Sequence, residues 1–396
     1  MNILFLSRWF PIPANNGSKI RIFNILRELH QKHDVTLLAF CENDSLRGGE
    51  HDLADLCSEL HVLQWKPFKP NSWRALLGFM SQKPRSVIDT YSREMAEKIQ
   101  WVLANKPIDV VIASQWPMAA YVPLFKGVPA LYEEIELGVI YDLGESTENP
   151  GKRFRHGLTW IKRKMYLQRL LKSFRAATVV SEQERILLKQ AAPSFQEVEV
   201  IPNCIDLSTY DKVESNPGEN SLIFTGSLTY APNYYGITWF LDNVYPLIQA
   251  QIPLVRLTIT GDHGNLPLPS SDSVNLTGYL EDIRPLLAAA SVCIVPIQSG
   301  GGTRFKLLEA MALRTPVVST TKGAEGLSVR DGEHLLVADS PEHFADAVVK
   351  LIASKTLRAE LTQNAYALVR ESYDWHKVFP RFLSLVESLH IEPIDP

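Results

Sequence analysis

The sequence predicts an α/β protein built from two doubly wound domains. Short runs of β-branched and aromatic residues alternate with longer segments of helical periodicity, and this alternation starts again after residue 220. Strands that are apolar on both faces and separated by helices are typical of a parallel sheet covered by helices on each side. At roughly 150 residues per domain, a chain of 396 residues also favours two domains over one.

The first half of the chain supplies the strands of one domain and its first helix. Ile22, Ile25, Leu26 and Leu29 follow the i, i+3, i+4, i+7 spacing of a single helix face. We therefore expect a helix through these residues, between the first two of four strands. The four strand-like runs are residues 3–6, 35–40, 109–113 and 177–180.

The second half repeats the pattern and ends on a helix. Residues 208–221 contain Asp, Asn, Pro, Gly and Ser without sustained periodicity, which favours a boundary. We expect an N-terminal domain at 1–205 and a C-terminal domain at 206–374. A final helix within 375–396 is expected to pack back toward the first domain. The strand-like runs of the second domain are residues 222–225, 257–260, 274–276, 292–296 and 316–319.

Composition excludes several classes of protein. The formal charge is −4, so the molecule as a whole is not a polyanion-binding cation. The four cysteines form no Cys-x-x-Cys pair, which argues against a zinc ribbon or a disulfide scaffold and fits a reducing cytosol. Residues 1–7 resemble a buried first strand rather than a signal peptide. No apolar run approaches the ~18–20 residues needed to span a bilayer.

The segment 299–312, SGGGTRFKLLEAMA, predicts an anion site. Its three glycines leave backbone N–H groups unobstructed, and the helix that follows adds its own free donors. Arg304 and Lys306 fall in the first turn, where the helix dipole disfavours cations by roughly 0.3–1 kcal/mol each, so a bound anion would offset their position. Glu309 lies almost two turns beyond Gly302, where a carboxylate can accept hydrogen bonds from a vicinal diol such as ribose. The alternative is a Lys306–Glu309 surface pair behind a flexible loop.

Several motifs, in order, resemble glycosyltransferase family 4. They are VSE at 180–182, IPNCID at 201–206, FTGSLTYAPN at 224–233, TGYLED at 277–282 and GGGTRFKLLEAMALRTPVVST at 300–320. The resemblance implies retaining enzymes of the GT-B fold, in which two Rossmann-like domains face each other across a cleft. It also implies that the second domain holds a nucleotide-diphosphate sugar and the first holds the acceptor.

The resemblance implies roles for individual residues. Glu309 would bind the ribose, while Arg304 and Lys306 would stabilise the charge on the departing diphosphate, so these three are the catalytic candidates. The loop 13–19 would cap the diphosphate; otherwise it is a plain turn with Ser18 as helix N-cap. Lys19 and Arg21 are either ligands or solvated helix residues. The expected substrate contacts are Gly17, Ser18, Gly226, Ser227, Asn233, Tyr279, Leu280, Gly301, Gly302, Thr303 and Leu308.

Two departures from the family pattern concern the donor. An acidic residue usually stands eight positions before the ribose-binding glutamate, and here that position is Gly301. The usual Arg and Lys pair after the strand that ends near Gly226 is also missing. Arg304 and Lys306 would substitute for that pair from the other side of the phosphates.

The acceptor side leaves alternatives open. Where many family members carry a histidine, this chain has Glu133, Glu134 and Glu136, which either orient the acceptor hydroxyl or belong to a solvated acidic loop. Trp116 is either a platform for sugar stacking or part of the core. No Asp-x-Asp motif occurs, so we expect metal-independent transfer with no cofactor besides the donor substrate.

Residues 152–175 carry nine Lys or Arg and no Asp or Glu, interleaved with apolar residues such as Trp160, Ile161 and Leu167. This pattern fits a basic amphipathic helix on anionic lipid. It equally fits a helix packed on the sheet with a solvated basic face.

The sequence therefore predicts a cytoplasmic glycosyltransferase, with peripheral contact to the inner face of the membrane if the lipid interpretation holds. Its donor would be a UDP-, GDP- or related nucleotide sugar, and its acceptor a glycan or a lipid-linked glycan in cell-surface polysaccharide or glycolipid synthesis. No nucleic acid partner is expected. The alternatives are a nucleotide-sugar epimerase and a non-catalytic nucleotide-binding protein of the same fold.

Overall fold

The computed structural model describes residues 1–14, 16–42, 53, 55–138, 150–214, 216–264, 266–269, 271–300 and 304–391. The chain divides into two compact units. The first unit comprises Met1–Pro202 together with the chain from Phe379 onward, and the second is Asn203–Val378. Among the described residues, no helix combines the length and the apolar character that crossing a membrane requires.

The first unit is built on a parallel sheet of seven strands in the order β3-β2-β1-β4-β5-β6-β7. Every residue of β4 and β5 is buried, because helices cover both faces of the sheet. The strands are β1 Asn2–Ser7, β2 Asp34–Cys41, β3 Glu59–Gln64, β4 Val110–Ser114, β5 Ala130–Ile135, β6 Ala176–Val179 and β7 Val198–Val200. The described helices are Gly17–Leu29, Trp73–Leu77, Arg85–Thr90, Arg93–Asn105, Gln115–Ala119, Val122–Leu124 (a 3-10 turn), Pro150–Leu171 and Glu182–Ala191, with most of Trp375–Ile391.

The second unit is built on a parallel sheet of six strands in the order β10-β9-β8-β11-β12-β13. The strands are β8 Ser221–Thr225, β9 Arg256–Thr260, β10 Val274–Gly278, β11 Val292–Val295, β12 Val317–Ser319 and β13 Leu336–Val337. The described helices are Leu207–Tyr210, Ala231–Trp239, Phe240–Val244 (a π turn), Tyr245–Gln251, Arg284–Ala288, Phe305–Ala312, Thr321–Ala324, Pro341–Ala353 and Lys355–Ser372.

The two sheets confirm the predicted fold class of two doubly wound units. Each predicted strand is present within one or two residues of its expected ends, whereas β3, β5, β7 and β13 were not predicted. The boundary between the units lies after Pro202, ahead of the segment 208–221. Leu207–Tyr210 forms a short helix, and Leu207 is buried in the core of the second unit.

The strand order reverses once in each sheet, between β1 and β4 in the first unit and between β8 and β11 in the second. Ligands of open α/β sheets bind beyond the carboxyl ends of the strands at such switch points. The fold therefore marks two places for binding residues, one in each unit.

Candidate active site

The switch point of the second unit brings together two of the sequence motifs. Gly226 directly follows β8, while Ser299 and Gly300 follow β11 and precede the helix Phe305–Ala312. A Cβ on Gly300 would lie 2.8 Å from Pro232 Cγ and 2.9 Å from the Tyr230 hydroxyl oxygen, so the two loops pack against each other. The predicted ligand contacts Gly301, Gly302 and Thr303 lie outside the described residues.

Lys306 is held at this switch point by an asparagine. Its Nζ donates to Asn233 Oδ1 at 2.9 Å and lies 4.2 Å from the centroid of the Phe224 ring. Asn233 Nδ2 in turn donates to the Ser227 carbonyl oxygen at 2.7 Å. Burial lowers the pKa of Lys306 to about 7. Because the ammonium bonds Asn233, the alternative of a Lys306–Glu309 surface pair is wrong.

Gly226 is packed against this pair. Its φ is +126°, and a Cβ there would lie 2.9 Å from Asn233 Nδ2 and 3.1 Å from Lys306 Nζ. Gly261 and Gly278, at the ends of β9 and β10, also have positive φ. A Cβ on Gly261 would lie 2.4 Å from the Gly226 carbonyl oxygen. The strand ends thus approach each other as closely as glycine allows, and the Gly226 and Gly261 N–H groups donate to the Thr260 and Gly278 carbonyl oxygens at 3.2 and 2.8 Å.

Arg304 supports the loop before the helix. It is the N-cap residue, so the expectation that it sits in the first turn is wrong, since the helix begins at Phe305. Its side chain is buried, and Nη2 donates to the Gly300 carbonyl oxygen at 2.7 Å. The guanidinium therefore binds the backbone at Gly300, on the far side of the residues that precede the helix.

Glu309 lies one turn beyond Lys306 on the same helix and is only partly buried. Its Oε1 accepts a hydrogen bond from the Tyr210 hydroxyl at 3.1 Å. Burial raises the pKa of Glu309 to about 7, and the bond from Tyr210 acts in the opposite direction. Nearby, Arg284 Nε donates to Asp282 Oδ1 at 2.8 Å, and Arg284 Nη1 donates to the Thr209 carbonyl oxygen at 3.0 Å. Tyr210 was not predicted as a site residue, because it falls in the segment 208–221, which was predicted to be a domain boundary.

Of the other residues of the second unit that were predicted to contact the ligand, some are accessible to solvent and one is buried. Tyr279, directly after β10, is 61% exposed, and Leu280 is half-buried. Leu308 is fully buried in the core of the second unit, so its side chain is not available to a ligand. The reason is helix periodicity, since Leu307, Leu308 and Met311 share the buried face of the helix in the core of the second unit.

Gly17 and Ser18 lie at the switch point of the first unit, where the helix Gly17–Leu29 begins. Ser18 is not the N-cap: Asn16 caps the helix, its side chain accepting from the Lys19 backbone N–H at 3.0 Å. Instead, Ser18 Oγ accepts a hydrogen bond at 2.9 Å from Gln115 Nε2, at the end of β4. Lys19 and Arg21 are buried, so the alternative that they are solvated is wrong.

The acidic cluster was only partly predicted. Glu133 and Glu134 belong to the buried strand β5, so the alternative that they lie in a solvated acidic loop is wrong for both. Glu136 is exposed. Glu133 Oε1 accepts from Arg21 Nε at 2.5 Å and Oε2 from Ser114 Oγ at 2.6 Å. The buried ion pair is what allows a carboxylate inside the sheet.

Glu134 and Gln115 form an unusual pair. Gln115 Nε2 donates to Glu134 Oε2 at 2.7 Å, and both residues have left-handed backbone, with φ of +68° for Gln115 and +59° for Glu134. Burial, followed by the charge of Glu133, raises the pKa of Glu134 well above its usual value. Strained non-glycine backbone of this kind clusters at binding and catalytic sites.

Trp116 belongs to the core of the first unit. It is half-buried among core residues and meets the Tyr166 ring edge-on at 5.5 Å between centroids. This contact favours the core interpretation over a platform for sugar stacking.

Comparison with known proteins identifies the class. A family model described as Glycosyltransferase Family 4 matches residues 15–209, and one described as Glycosyl transferases group 1 matches residues 219–354. Among solved structures, Anabaena HepE in complex with UDP superposes with a TM-score of 0.67 at 15% identity, covering 98% of this chain and 100% of that one. The fold is therefore GT-B. The two family matches span most of the chain, which belongs to glycosyltransferase family 4 and is a glycosyltransferase.

Two relatives are similar in sequence. An uncharacterized 44.6 kDa protein in the cps region of Klebsiella pneumoniae is 23% identical over 95% of this chain and 97% of its own. The phosphatidyl-myo-inositol mannosyltransferase of Mycobacterium tuberculosis H37Rv is 26% identical over 48% of this chain and 53% of its own.

Proposed function

We propose that the protein moves a sugar, with retention of configuration, from a nucleotide-diphosphate sugar to a glycan or lipid-linked acceptor. The observation that carries the proposal is the helix Phe305–Ala312, which presents Lys306 and Glu309 at the switch point of the second sheet. A cation whose pKa is near neutrality and a partly exposed carboxylate one turn away match the two ends of a ribose diphosphate.

The diphosphate end needs positive charge that is already in position. When the bond between the anomeric carbon and the phosphate oxygen breaks, negative charge grows on the leaving group, and preorganised donors stabilise it. Lys306 supplies an ammonium fixed by Asn233, and Arg304 adds a second cation, whose guanidinium donates to the Gly300 carbonyl oxygen. These two cations are our reason for proposing metal-independent transfer, together with the missing Asp-x-Asp motif.

The ribose end needs an acceptor for hydroxyl donors. Glu309 Oε1 is bonded to Tyr210, which orients the carboxyl group and leaves Oε2 for the ribose diol. UDP is the first nucleotide to test, because the structural neighbour HepE was crystallised with UDP.

For the acceptor side we propose Glu134. Both carboxylate oxygens of Glu133 already accept hydrogen bonds, from Arg21 and Ser114, so Glu133 serves structure. Glu134 instead stands beside Gln115 and Ser18 at the carboxyl edge of the first sheet. There its carboxyl group would orient the attacking hydroxyl. The hydroxyl oxygen bonds to the anomeric carbon on the face that the diphosphate leaves, and the hydroxyl proton passes to the departing phosphate oxygen.

The cellular setting is proposed from chemistry and from the relatives. The four cysteines are all buried, which suits thiols kept in a reducing cytosol. One relative is named for a cps region and the other is named a phosphatidyl-myo-inositol mannosyltransferase, and on this basis we propose cell-surface polysaccharide or glycolipid synthesis.

Incubation of the protein with a panel of UDP- and GDP-sugars, with product analysis by mass spectrometry, tests the function. We expect slow donor hydrolysis that releases the nucleoside diphosphate, persists with EDTA and falls at least about tenfold in Glu134→Gln, with Glu136→Gln as the exposed control. A product with the same nucleotide but an isomerised sugar would establish an epimerase instead. Nucleotide binding without turnover of any donor would establish a non-catalytic protein.

A further inference from the structure

The helix Pro150–Leu171 has a second apolar face. Phe154, Leu158, Ile161 and Met165 are each more than half exposed, and their spacing of four, three and four residues places them along one stripe. Lys172, which is also exposed, continues the line of this stripe just past the helix end.

The opposite face of the same helix accounts for its packing. Tyr166, Leu167, Leu170 and Leu171 are buried in the core of the first unit, and Trp160 packs against them. The interpretation of a helix packed on the sheet is therefore correct for this face. That interpretation expected only a solvated basic face on the other side of the helix. It does not explain the stripe, which carries four large apolar side chains.

A second exposed apolar segment lies beside the helix. Leu76 and Leu77 on the short helix Trp73–Leu77 are more than half exposed, and Met80 beyond it is 92% exposed. Lys162 Nζ donates to the Gly78 carbonyl oxygen at 2.6 Å, and Arg169 bonds the side chain of Gln82. These two bonds join the segment to the helix, so the apolar residues of both belong to one surface of the first unit.

The same two segments concentrate positive charge. Residues 66–88 carry five Lys or Arg and no Asp or Glu, as residues 152–175 carry nine and none. Together they hold 14 of the 40 basic residues and none of the 44 acidic ones, in a chain of net charge −4. A region with exposed apolar side chains and many cations is complementary to a partner that has a negatively charged surface and an apolar interior.

We infer that residues 66–88 and 150–172 form a surface, called here the apolar–basic surface, that binds the face of an anionic phospholipid bilayer. Apolar side chains such as Phe79, Met80 and Ile161 would enter the boundary between headgroups and acyl chains, while the surrounding lysines and arginines contact the headgroups. Binding here would bring the enzyme to lipid-linked acceptors, and to that extent the inference rests on the proposed function. Vesicle binding itself requires neither donor nor acceptor.

Vesicle co-sedimentation of the full-length protein tests the inference. Phosphatidylcholine vesicles with and without phosphatidylglycerol are compared at low and high salt. Leu158→Ser with Ile161→Ser should lower the partition coefficient by about tenfold or more. Lys164→Gln with Lys172→Gln should lower it by about 25-fold at low salt, at about fivefold per charge. The matched controls are Leu254→Ser, at an 80% exposed leucine of the second unit, and Lys350→Gln on another helix. Melting temperatures of all variants verify folding.

The location of the contact is tested with brominated phospholipid. Trp73, 70% exposed, should be quenched on binding, and Trp73→Phe should remove most of that quenching. The inference is supported if the wild type prefers anionic vesicles, the surface variants lose this preference and the controls keep it. Equal binding to both vesicle types, or surface variants that bind like wild type, would overturn it. So would self-association through Leu158 and Ile161 in place of vesicle binding. Donor hydrolysis without vesicles tests the proposed function separately.

Discussion

Lys306 Nζ and Asn233 Oδ1 lie 2.9 Å apart and join the helix after β11 to the helix after β8. The bond spans the point where the strand order of the second sheet reverses. The pKa of this lysine is lowered to about 7. The lysine and the asparagine both lie so close to Gly226 that a side chain at position 226 would collide with them. Donor binding should therefore depend on this arrangement in ways that can be measured.

Binding of a UDP-sugar should weaken as the pH rises above about 7. Lys306 loses its charge there, because its pKa is lowered by burial, whereas the diphosphate diester of the donor does not titrate near neutrality. Lys306→Met should lower the affinity about tenfold to a hundredfold at pH 6.5 and flatten the alkaline side of the profile. Calorimetry across pH measures this, with Lys350→Met as control. An alkaline decline that persists in Lys306→Met would contradict the assignment.

The acidic side of the same profile should report Glu309. Its pKa is raised to about 7, so the carboxylate that would accept from ribose is lost as the pH falls below that value. Tyr210→Phe removes a hydrogen bond that favours the ionised form and should move the acidic midpoint to higher pH. Tyr366→Phe, which removes a tyrosine bond to Asp211, is the matched control and should leave the midpoint unchanged.

Gly226→Ala should weaken donor binding more than it destabilises the fold. The substitution strains a left-handed position by about 1–3 kcal/mol and also pushes a methyl group toward Asn233 and Lys306. Gly332→Ala also places an alanine at a positive φ, of +71°, but its Cβ would meet nothing within 4 Å. Comparing both variants by calorimetry and chemical denaturation separates strain from contact. Equal donor affinity in the two variants would refute the role given to Gly226.

Arg21→Leu should lower the free energy of unfolding by about 3–5 kcal/mol, because it leaves Glu133 buried without its cation. Denaturant unfolding measures the change. Adding Glu133→Leu should recover much of the loss, since the uncompensated charge is then gone. Arg185→Leu removes an exposed pair with Glu182 and should cost less than about 1 kcal/mol.

The alternation of apolar runs and helical periodicity predicted both sheets, because parallel strands buried on two faces leave a local signal. The strand β5 was not predicted, because its two consecutive glutamates are more typical of a loop than of a buried strand. The partner that makes Glu133 tolerable, Arg21, stands 112 positions earlier in the chain, and no local pattern reports such a pairing.

Those residues of the candidate site that belong to a local sequence motif could be predicted. Glycines, cations and a carboxylate at the start of one helix indicated Lys306 and Glu309, and the family resemblance added Gly226 and Asn233. Tyr210 and Gln115 were missed because their importance lies in tertiary contacts: a hydroxyl placed on Glu309, and an amide that bridges Ser18 and Glu134.

The central claim is that Glu309 and its helix hold the nucleotide of a sugar donor. Calorimetric titration of UDP, GDP and ADP at neutral pH into wild type, Glu309→Ala and the exposed control Glu360→Ala tests it most directly. We expect saturable binding of one nucleotide by wild type and by Glu360→Ala, weakened at least about tenfold in Glu309→Ala. Equal affinity of Glu309→Ala and wild type for that nucleotide, or no binding of any nucleotide by wild type, would contradict the account.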